Sequence, residues 1–316
     1  MTSCRSPAAV LLAAALSACS GGDRVRLDGR TALPAALRDA VEESFERSHP
    51  EVDLRFSLGS VAETLRELEA GEADFDVWWG APARLLLRAE EALLWQPWAT
   101  RPLVVAFDRT RVSLSDAPSD WIDVFHHAWF DDVRVPDPAS TEEGATLVAG
   151  MVIEGLRDDD DLNSGFDWLA RLHDQVDSYV TDSEAAIAAL RRGDALLAIM
   201  SRADAERARV SGADWLHYRI PSSGTPDVAL GVGIVAGSST DGAARAFVDH
   251  LATRDAATAA KLHTHWEPAA GEVDESALPT DFELRQSWRS FVPAFDTVAA
   301  ELDGWVDRWE REIRTR

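Results

Sequence analysis

Short apolar runs alternate with amphipathic segments along the first hundred residues. Strands are predicted for Arg24 to Asp28, Val52 to Phe56 and Phe75 to Trp79, where the residues alternate in polarity or are continuously apolar. Between them, apolar residues at helical spacing predict helices from Pro34 to Ser48 and from Ser60 to Ala70. Strands that alternate with helices in this way predict an α/β fold with parallel strands and right-handed crossovers.

Glycine and proline mark the expected ends of two of these strands. Gly29, followed by Arg30 and Thr31, is expected to break the first strand. Gly80 and Pro82 are expected to end the third strand and to lead into a helix over residues 83–94.

Two adjacent tryptophans, Trp78 and Trp79, stand at the carboxyl end of the third predicted strand. In an open α/β sheet, ligands bind at this end of the strands. Neighbouring residues of a strand point to opposite faces, so one indole is expected in the core and the other in a crevice. The alternative is that both indoles are core residues, because aromatic side chains dominate protein cores.

The same alternation continues after a buried strand predicted for Arg101 to Asp108. Further strands are predicted for residues 133–135, 178–180, 196–200 and 228–237, and helices are predicted after Thr141, after Asp182 and from Ala203. In the tail, Trp288, Phe291, Phe295, Trp305 and Trp309 predict an amphipathic helical pair that covers a lobe.

The first residues have the pattern of a bacterial export signal. Arg5 precedes an apolar run over residues 8–16 that is too short to span a bilayer. Leu16-Ser17-Ala18-Cys19 resembles a lipobox, so residues 1–18 are predicted to be a lipoprotein signal peptide, Cys19 the lipidated residue and residues 19–24 a tether. The protein is then expected to be exported and lipid-anchored to the membrane, facing the periplasm or the cell exterior. The alternative is an ordinary signal peptide with a chance cysteine.

Charge and cysteine content exclude several classes of function. A net charge of −24 over 316 residues disfavours a nucleic-acid partner. Cys4 and Cys19 are the only cysteines, so the body of the chain has no disulfide framework or thiolate zinc site. The pairs His126-His127 and His263-x-His265 lack a carboxylate at helical spacing and are expected to be exposed structural residues. No metal site and no cofactor are therefore predicted.

Several longer segments occur in an order typical of one family. They are FERSHPEVDLRFSLGS, FDVWWGAPARLLLRAEEALLW, PLVVAFDRT, VPDPASTEEGATLVAGM, SYVTDSEAAIAALRRGDALLAIM and VALGVGIVAGSSTDGAARAFVDHLAT. With its lipoprotein signal, the chain resembles the extracellular solute-binding proteins of ABC importers, in the branch that contains ferric-iron and phosphonate binders. The resemblance covers about residues 25–262.

The resemblance implies a two-lobed, periplasmic-binding-protein-like α/β fold. Each lobe is expected to be a mainly parallel sheet flanked by helices, and two crossing strands, residues 103–107 and 229–235, are expected to join the lobes. Lobe 1 would comprise residues 25–105 and 230–270 and lobe 2 residues 106–229, with C-terminal helices in residues 271–316 packing on a lobe. The expected partners are a small-molecule solute held between the lobes and ABC permease subunits, and the protein is expected to be a monomer.

The resemblance also places the solute site in loops at the carboxyl ends of strands. These loops lead to helix N-termini, whose free N–H groups and short hydroxyls suit polar solutes. The implied residues are Arg30, Thr31, Ser57, Gly59, Ser60, Trp78, Trp79 and Gly80 in lobe 1, and Ser140, Thr141, Glu143, Asp182, Ser183, Ser201 and Arg202 in lobe 2.

The chain departs from the family pattern at two positions. The iron binders carry adjacent tyrosines where this chain has Ser201-Arg202, so tyrosine-based ferric binding is not expected. The phosphonate-like members carry Ser-Gly-Thr where this chain has Thr141-Glu142-Glu143. These two glutamates are expected to complement the helix dipole, but a glutamate facing the cleft would favour an amine or a metal ion over an anion.

Two arginines oppose that electrostatic preference. Arg30 and Arg202 are candidate clamps for a carboxylate or a phosphate. A zwitterionic solute would satisfy both signs of charge.

Binding without catalysis is the predicted function. The chain has no Gly-x-Ser-x-Gly elbow, no Gly-Lys-Ser/Thr phosphate loop and no His-Glu-x-x-His motif. Two alternatives remain open: a surface-anchored sensor or scavenger without its own permease, and a two-lobed α/β enzyme. A neighbouring permease gene would favour import, and turnover of a solute would favour an enzyme.

Overall fold

The computed structural model describes residues 24–279, 288–291 and 295–315. The predicted signal peptide and Cys19 lie outside these residues. Within the described residues, no helix is both long enough and apolar enough to cross a membrane.

The first sheet is built mainly from the N-terminal hundred residues. Its strands and helices are β1 (Val25–Thr31), α1 (Ala35–Ser48), β2 (Val52–Leu58), α2 (Val61–Glu69), β3 (Val77–Pro82), α3 (Ala83–Arg88) and the start of β4 (Leu93–Asp108). β1 pairs in parallel with β2 and β3, as the strand–helix alternation predicted.

The second sheet is built from the middle of the chain. Its elements are β5 (Val133–Pro136), α4 (Glu142–Asp159), α5 (Leu162–His173), β6 (Val176–Val180), α6 (Ser183–Arg192), β7 (Leu197–Ser201), α7 (Arg202–Val210) and β8 (Leu216–Arg219). The chain then returns through β9 (Asp227–Val235), α8 (Asp241–His250), α9 (Arg254–Thr264) and β10 (Glu267–Pro268), and α10 (Phe295–Trp309) ends in a π-helical turn at Glu310–Arg314.

β4 and β9 carry the chain between the two sheets. The first part of β4 pairs with β9 and with β10 in the first sheet, and Leu103–Asp108 pair with β7 and β8 in the second. The resulting strand order is β2-β1-β3-β9-β4-β7-β5-β6. The α/β fold with two lobes is confirmed. Both sheets are mixed rather than mainly parallel, because β4 and β9 run antiparallel to their neighbours.

Each lobe has apolar clusters on both faces of its sheet. In the first lobe, one cluster lies under α1, α8 and α9 and a second under α2 and α3. In the second lobe, one cluster packs α4, α5 and α10 against the sheet, and the other packs α6 and α7. These four clusters hold the strand ends in fixed positions.

The ends of β1 and β3 and the start of β4 differ from the sequence prediction. β1 continues through Gly29 to Thr31, because the absent side chain of Gly29 makes room for the ring of Phe56 on β2. β3 continues to Pro82: Gly80 takes a φ of 84° and forms a bulge between Trp79 and Ala81, which bends the strand without ending it. The helix expected over residues 83–94 ends at Arg88, and β4 begins at Leu93.

Of the predicted helical pair in the tail, the described residues contain one long helix, α10. Trp288 and Phe291 lie in an extended segment that bridges to Thr225 through Ser290. α10 packs against both α3 and α4. Its Leu302, Trp305 and Trp309 are buried in the apolar cluster of the second lobe.

Candidate functional site

Three helices of the second lobe begin at the carboxyl ends of its strands. In each helix the N–H group of the third residue is used by a side chain of the chain itself: Gly144 donates to Thr141 Oγ1 at 3.0 Å, Ala185 to Asp182 Oδ1 at 2.7 Å, and Asp204 to Ser201 Oγ at 3.1 Å. The predicted caps at Thr141 and Asp182 are confirmed. Self-capping lowers the capacity of these helix ends to bind an oxyanion.

One carboxylate brings two of the predicted site residues together. Asp204 Oδ2 accepts hydrogen bonds from Ser183 Oγ at 2.7 Å and from Ser201 Oγ at 2.8 Å. Burial opposes ionisation of Asp204, but the charges of Arg207 and Arg101 and the two serine hydroxyls outweigh burial and lower its pKa. Asp204 was not predicted as a site residue, although its spacing from Ser201 is that of a capping box.

Glu143 reaches across to the strand that crosses between the lobes. Its Oε1 lies 3.0 Å from Nη1 of Arg101, and each side chain is only 16% exposed. The guanidinium of Arg101 lies over the ring of Trp266, 5.5 Å from its centroid. Arg101 Nε and Trp266 Nε1 are both buried without a hydrogen-bond partner. Sequence reasoning missed Arg101 and Trp266, because neither follows the strand–loop–helix pattern used to find the site.

The neighbouring glutamate makes a second contact between the lobes. Arg84, on α3, donates from Nε to Oε1 of Glu142 at 2.8 Å. Both glutamates lie in the first turn of α4, as a dipole complement requires, and both also pair with arginines outside the second lobe.

Arg202 is not at an open surface, contrary to its expected role as a clamp. Its side chain is 1% exposed and donates to Glu267 of β10, which also accepts from Lys261 of α9. Burial, followed by the nearby charge of Arg202, lowers the pKa of Lys261. The indole ring of Trp288 also lies near the Arg202 guanidinium, with its centroid 5.8 Å away. The first lobe therefore supplies the anion that Arg202 was expected to take from a solute.

Arg30 is likewise held by groups of the chain. Its Nη2 lies 2.7 Å from Asp74 Oδ1 and 3.2 Å from Glu67 Oε2, and its guanidinium lies over Phe75. All of these partners belong to the first lobe, so Arg30 is also occupied in this structure.

Both tryptophans of β3 are buried in the core. Trp79 packs against Phe56, Trp98 and Phe247 beneath α1 and α8, and Trp78 lies in the cluster on the opposite face of the sheet. The expectation that one indole faces a crevice is wrong in this structure, because helices cover both faces of β3. The alternative that both are core residues is confirmed.

The other predicted site residues divide into supporting and exposed groups. Thr31 is buried and donates from Oγ1 to the carbonyl oxygen of Trp79 at 2.7 Å, and the backbone at Gly59 and Gly80 packs closely on Arg30 and Leu33. The exposed members are Ser57, Ser60, Ser140 and Asp182. Ser60 caps α2 by accepting from Glu63 N at 3.2 Å.

No group of three or more histidine, cysteine, aspartate or glutamate side chains within the described ranges is arranged to hold a metal ion. The rings of His126 and His127 contact each other in a tilted arrangement, with their centroids 4.1 Å apart. His265 is buried rather than exposed as expected, and burial together with the charges of Arg207, Lys261 and Arg202 lowers its pKa to about 4.

Two α/β lobes that share crossing strands, with charged side chains meeting at their boundary, define a two-lobed binding-protein fold. The chain belongs to the bacterial extracellular solute-binding protein family, whose model matches residues 27–263. One relative is the probable ABC transporter periplasmic-binding protein y4fP of Sinorhizobium fredii (strain NBRC 101917 / NGR234). It is 24% identical over 275 residues, which are 85% of this chain and 75% of that protein.

Solved structures share the fold over nearly the whole chain. The Trichodesmium protein IdiA (FutA), solved in complex with iron and citrate ligands, superposes with a TM-score of 0.76 at 16% identity and covers 90% of this chain and 98% of its own. AfuA from Actinobacillus pleuropneumoniae, solved with exogenous fructose-6-phosphate bound, gives a TM-score of 0.68 at 18% identity and covers 92% and 99%. At these identities the likeness establishes a periplasmic-binding-protein-like fold.

Proposed function

We propose that this protein is the solute-binding subunit of an ABC importer and acts by binding, without catalysis. The family supports capture of a solute outside the cytoplasm, and the name of the Sinorhizobium relative supports delivery to an ABC permease. The observation that carries the proposal is the set of charged contacts between the lobes, Arg101–Glu143, Arg84–Glu142 and Arg202–Glu267. Polar groups that meet at a hinged boundary are suited to hold a polar solute between two lobes.

The proposed mechanism is closure around the solute. Residues 25–105 and 230–270 form one lobe, residues 106–229 form the other, and β4 and β9 act as the hinge. A solute that contacts both lobes stabilises the closed form relative to the open form, and the closed monomer docks on the permease. We retain Ser57, Ser60, Ser140 and Asp182 as rim residues, because they are exposed at the ends of strands and the starts of helices.

The proposed location is the outer face of a membrane, with the mature chain anchored through lipid on Cys19. A Cys19→Ala variant should then move from the membrane fraction to the soluble fraction. Metabolic labelling with a radioactive fatty acid should label the wild type but not the variant. Labelling of both chains would overturn the anchor and leave solute binding unaffected.

A thermal-shift screen of the chain lacking residues 1–19 tests the function. The panel contains ferric citrate, phosphonates, sugar phosphates, carboxylates, amines and amino acids. A ligand at 100 times its Kd should add about 2.7 kcal/mol to the free energy of unfolding, and small-angle scattering should show compaction. Chemical turnover of the ligand would indicate an enzyme instead. Deletion of the gene should abolish uptake of the labelled ligand, and unchanged uptake would indicate a sensor or scavenger.

A further inference from the structure

The contact between Arg101 and Glu143 leaves hydrogen-bonding capacity unused. Glu143 takes one terminal nitrogen of the guanidinium, at 3.0 Å. Arg101 Nε has no acceptor, and neither does Nε1 of Trp266, over whose ring the guanidinium lies. Buried donors without acceptors are rare in folded proteins. Arg101 and Trp266 can therefore donate to more acceptor atoms than Glu143 supplies.

A second carboxylate, that of Asp204, lies near this contact, but it has an arginine of its own: Arg207 Nη1 donates to Asp204 Oδ1 at 2.7 Å. Glu143 lies in the first turn of α4, and the Asp204 carboxylate in the first turn of α7 lies close enough for the charge of Arg101 to lower its pKa. Burial opposes ionisation of Asp204, but the charges of Arg207 and Arg101, followed by hydrogen bonds from Ser183 and Ser201, lower the pKa of Asp204. If Arg101 took another anion, Glu143 would lose its cation and would favour a cationic group beside it.

The helix ends around this contact offer little stabilisation to an anionic solute. The N–H groups of Gly144, Ala185 and Asp204 are already bonded to Thr141, Asp182 and Ser201. A phosphate would meet helix ends that each have one N–H group already bonded, and beside them the Glu143 carboxylate released by Arg101, so these ends offer fewer free N–H groups than an uncapped helix. The geometry therefore disfavours a solute that carries negative charge alone.

Resting on the proposed function, we propose that Glu143 stands in for the carboxylate of a zwitterionic solute. The solute carboxylate takes the place of Glu143 as the anion of Arg101 and can accept from Arg101 Nε, on the other side of the guanidinium from Nη1. Trp266 Nε1 is a second buried donor without an acceptor at this site. The released Glu143 then pairs with the cationic group of the solute. An acid without the amine leaves Glu143 desolvated and unpaired, and an amine without the acid leaves Arg101 unpaired, so both bind weakly.

Matched compounds test this proposal on the mature chain. The probes are the common α-amino acids, β-alanine, γ-aminobutyrate and glycine betaine, each compared with its acid lacking the cationic group and with its amine lacking the carboxylate. Calorimetry should show that at least one zwitterion binds about 100-fold or more tightly than either partner compound. The wild-type comparison alone tests the proposal, whatever the stability of the variants.

Two substitutions assign the roles. Glu143→Gln should weaken the zwitterion about 10- to 100-fold and leave the matched acid unchanged or bound more tightly. Arg101→Lys keeps the positive charge but removes the planar set of N–H donors of the guanidinium. It should lower the affinity for both the zwitterion and the acid. Glu63→Gln changes a first-turn glutamate of α2 in the first lobe, whose backbone N–H bonds to Ser60, and should alter no affinity.

The outcomes separate this inference from the proposed function. One outcome overturns the inference and leaves the proposed function standing. In that outcome, a panel compound that is not a zwitterion compacts the protein and binds more tightly than every zwitterion. Loss of affinity that is equal for acid, amine and zwitterion in Glu143→Gln also overturns it, because Glu143 then acts only as a contact between the lobes. Absence of any ligand and of any compaction across both panels overturns the inference and the proposed function together.

Discussion

Arg202 and Glu267 form a buried ion pair across the boundary between the lobes, 65 residues apart in the sequence. Lys261 binds the same carboxylate oxygen, so one anion serves two buried cations. Breaking a buried pair from one side leaves charge without compensation, which destabilises far more than loss of a surface pair.

Glu267→Gln should therefore lower the free energy of unfolding by about 3 kcal/mol. The substitution removes the negative charge that Arg202 and Lys261 share and keeps the shape of the side chain. Urea unfolding of the chain lacking residues 1–19 measures the change. The matched control is Glu272→Gln, which removes one partner of the exposed Arg254–Glu272 pair (2.9 Å) and should change stability by no more than about 0.5 kcal/mol. Equal effects of the two substitutions would show that the buried pair is not structural.

Trp79→Ala should lower stability by about 3–5 kcal/mol, as truncation of a buried tryptophan does. The indole is fully buried among Phe56, Trp98 and Phe247, so the substitution leaves a cavity in the first lobe. Phe130→Ala is the control, because Phe130 is 63% exposed and its loss should change stability little. A Trp79→Ala chain with wild-type stability and weakened solute binding would restore Trp79 to the site.

The contrast between these residues shows what the sequence could predict. The caps at Ser60, Thr141 and Asp182 were predictable, because a cap and its N–H partner are three residues apart. The alternation of strands and helices, read with the family resemblance, was enough to predict the two-lobed fold. Short pairings such as β10 with β4 depend on contacts distant in sequence, and two residues carry no periodic signal.

The partners of the charged residues could not be predicted for the same reason. Arg30 and Arg202 look alike in the sequence as free cations after a strand. Whether each is free depends on where Asp74 and Glu267 fall once the chain has folded. Arg101 lies within a long buried strand, where a charged residue gives no local sign that it faces Glu143.

Gly304→Ala should stabilise the protein by about 0.5–1 kcal/mol. Gly304 lies in the interior of α10 on its exposed face, and a Cβ at this position meets no atom within 4 Å. Alanine has a higher helix propensity than glycine, because it loses less backbone entropy on folding. The midpoint of thermal unfolding should rise.

Gly144→Ala is the matched comparison and should destabilise the protein. Its Cβ would lie 2.5 Å from the carbonyl carbon of Asp137 and from the nitrogen of Pro138, both of them backbone atoms that cannot rotate away. Stabilisation by both alanines would mean that the start of α4 is not held against the Asp137 loop.

Ionisation of Asp227 should make the free energy of unfolding fall as the pH rises from about 4 to 6. Burial raises the pKa of this carboxyl to about 6, against hydrogen bonds from Ser290 and Trp288 that lower it. The folded chain therefore retains a proton that the unfolded chain, with an ordinary pKa near 4, releases first. Protons bound in excess by the folded state reduce the free energy of unfolding with increasing pH, by up to about 3 kcal/mol over this window.

Asp227→Asn isolates this contribution, because the amide oxygen can still accept from Trp288 Nε1, which lies 2.7 Å from Asp227 Oδ1. His265 acts in the opposite direction: its pKa of about 4 makes stability rise with pH up to its unfolded pKa near 6.5. The contribution of His265 is the same in the wild type and in Asp227→Asn, so it cancels when their free energies of unfolding are subtracted. Urea unfolding at pH 4, 5, 6 and 7 should show the variant gaining stability relative to the wild type as the pH rises. Parallel curves would mean that Asp227 titrates alike in the folded and unfolded chains, and that the start of β9 at the crossing between the lobes is more hydrated than its burial indicates.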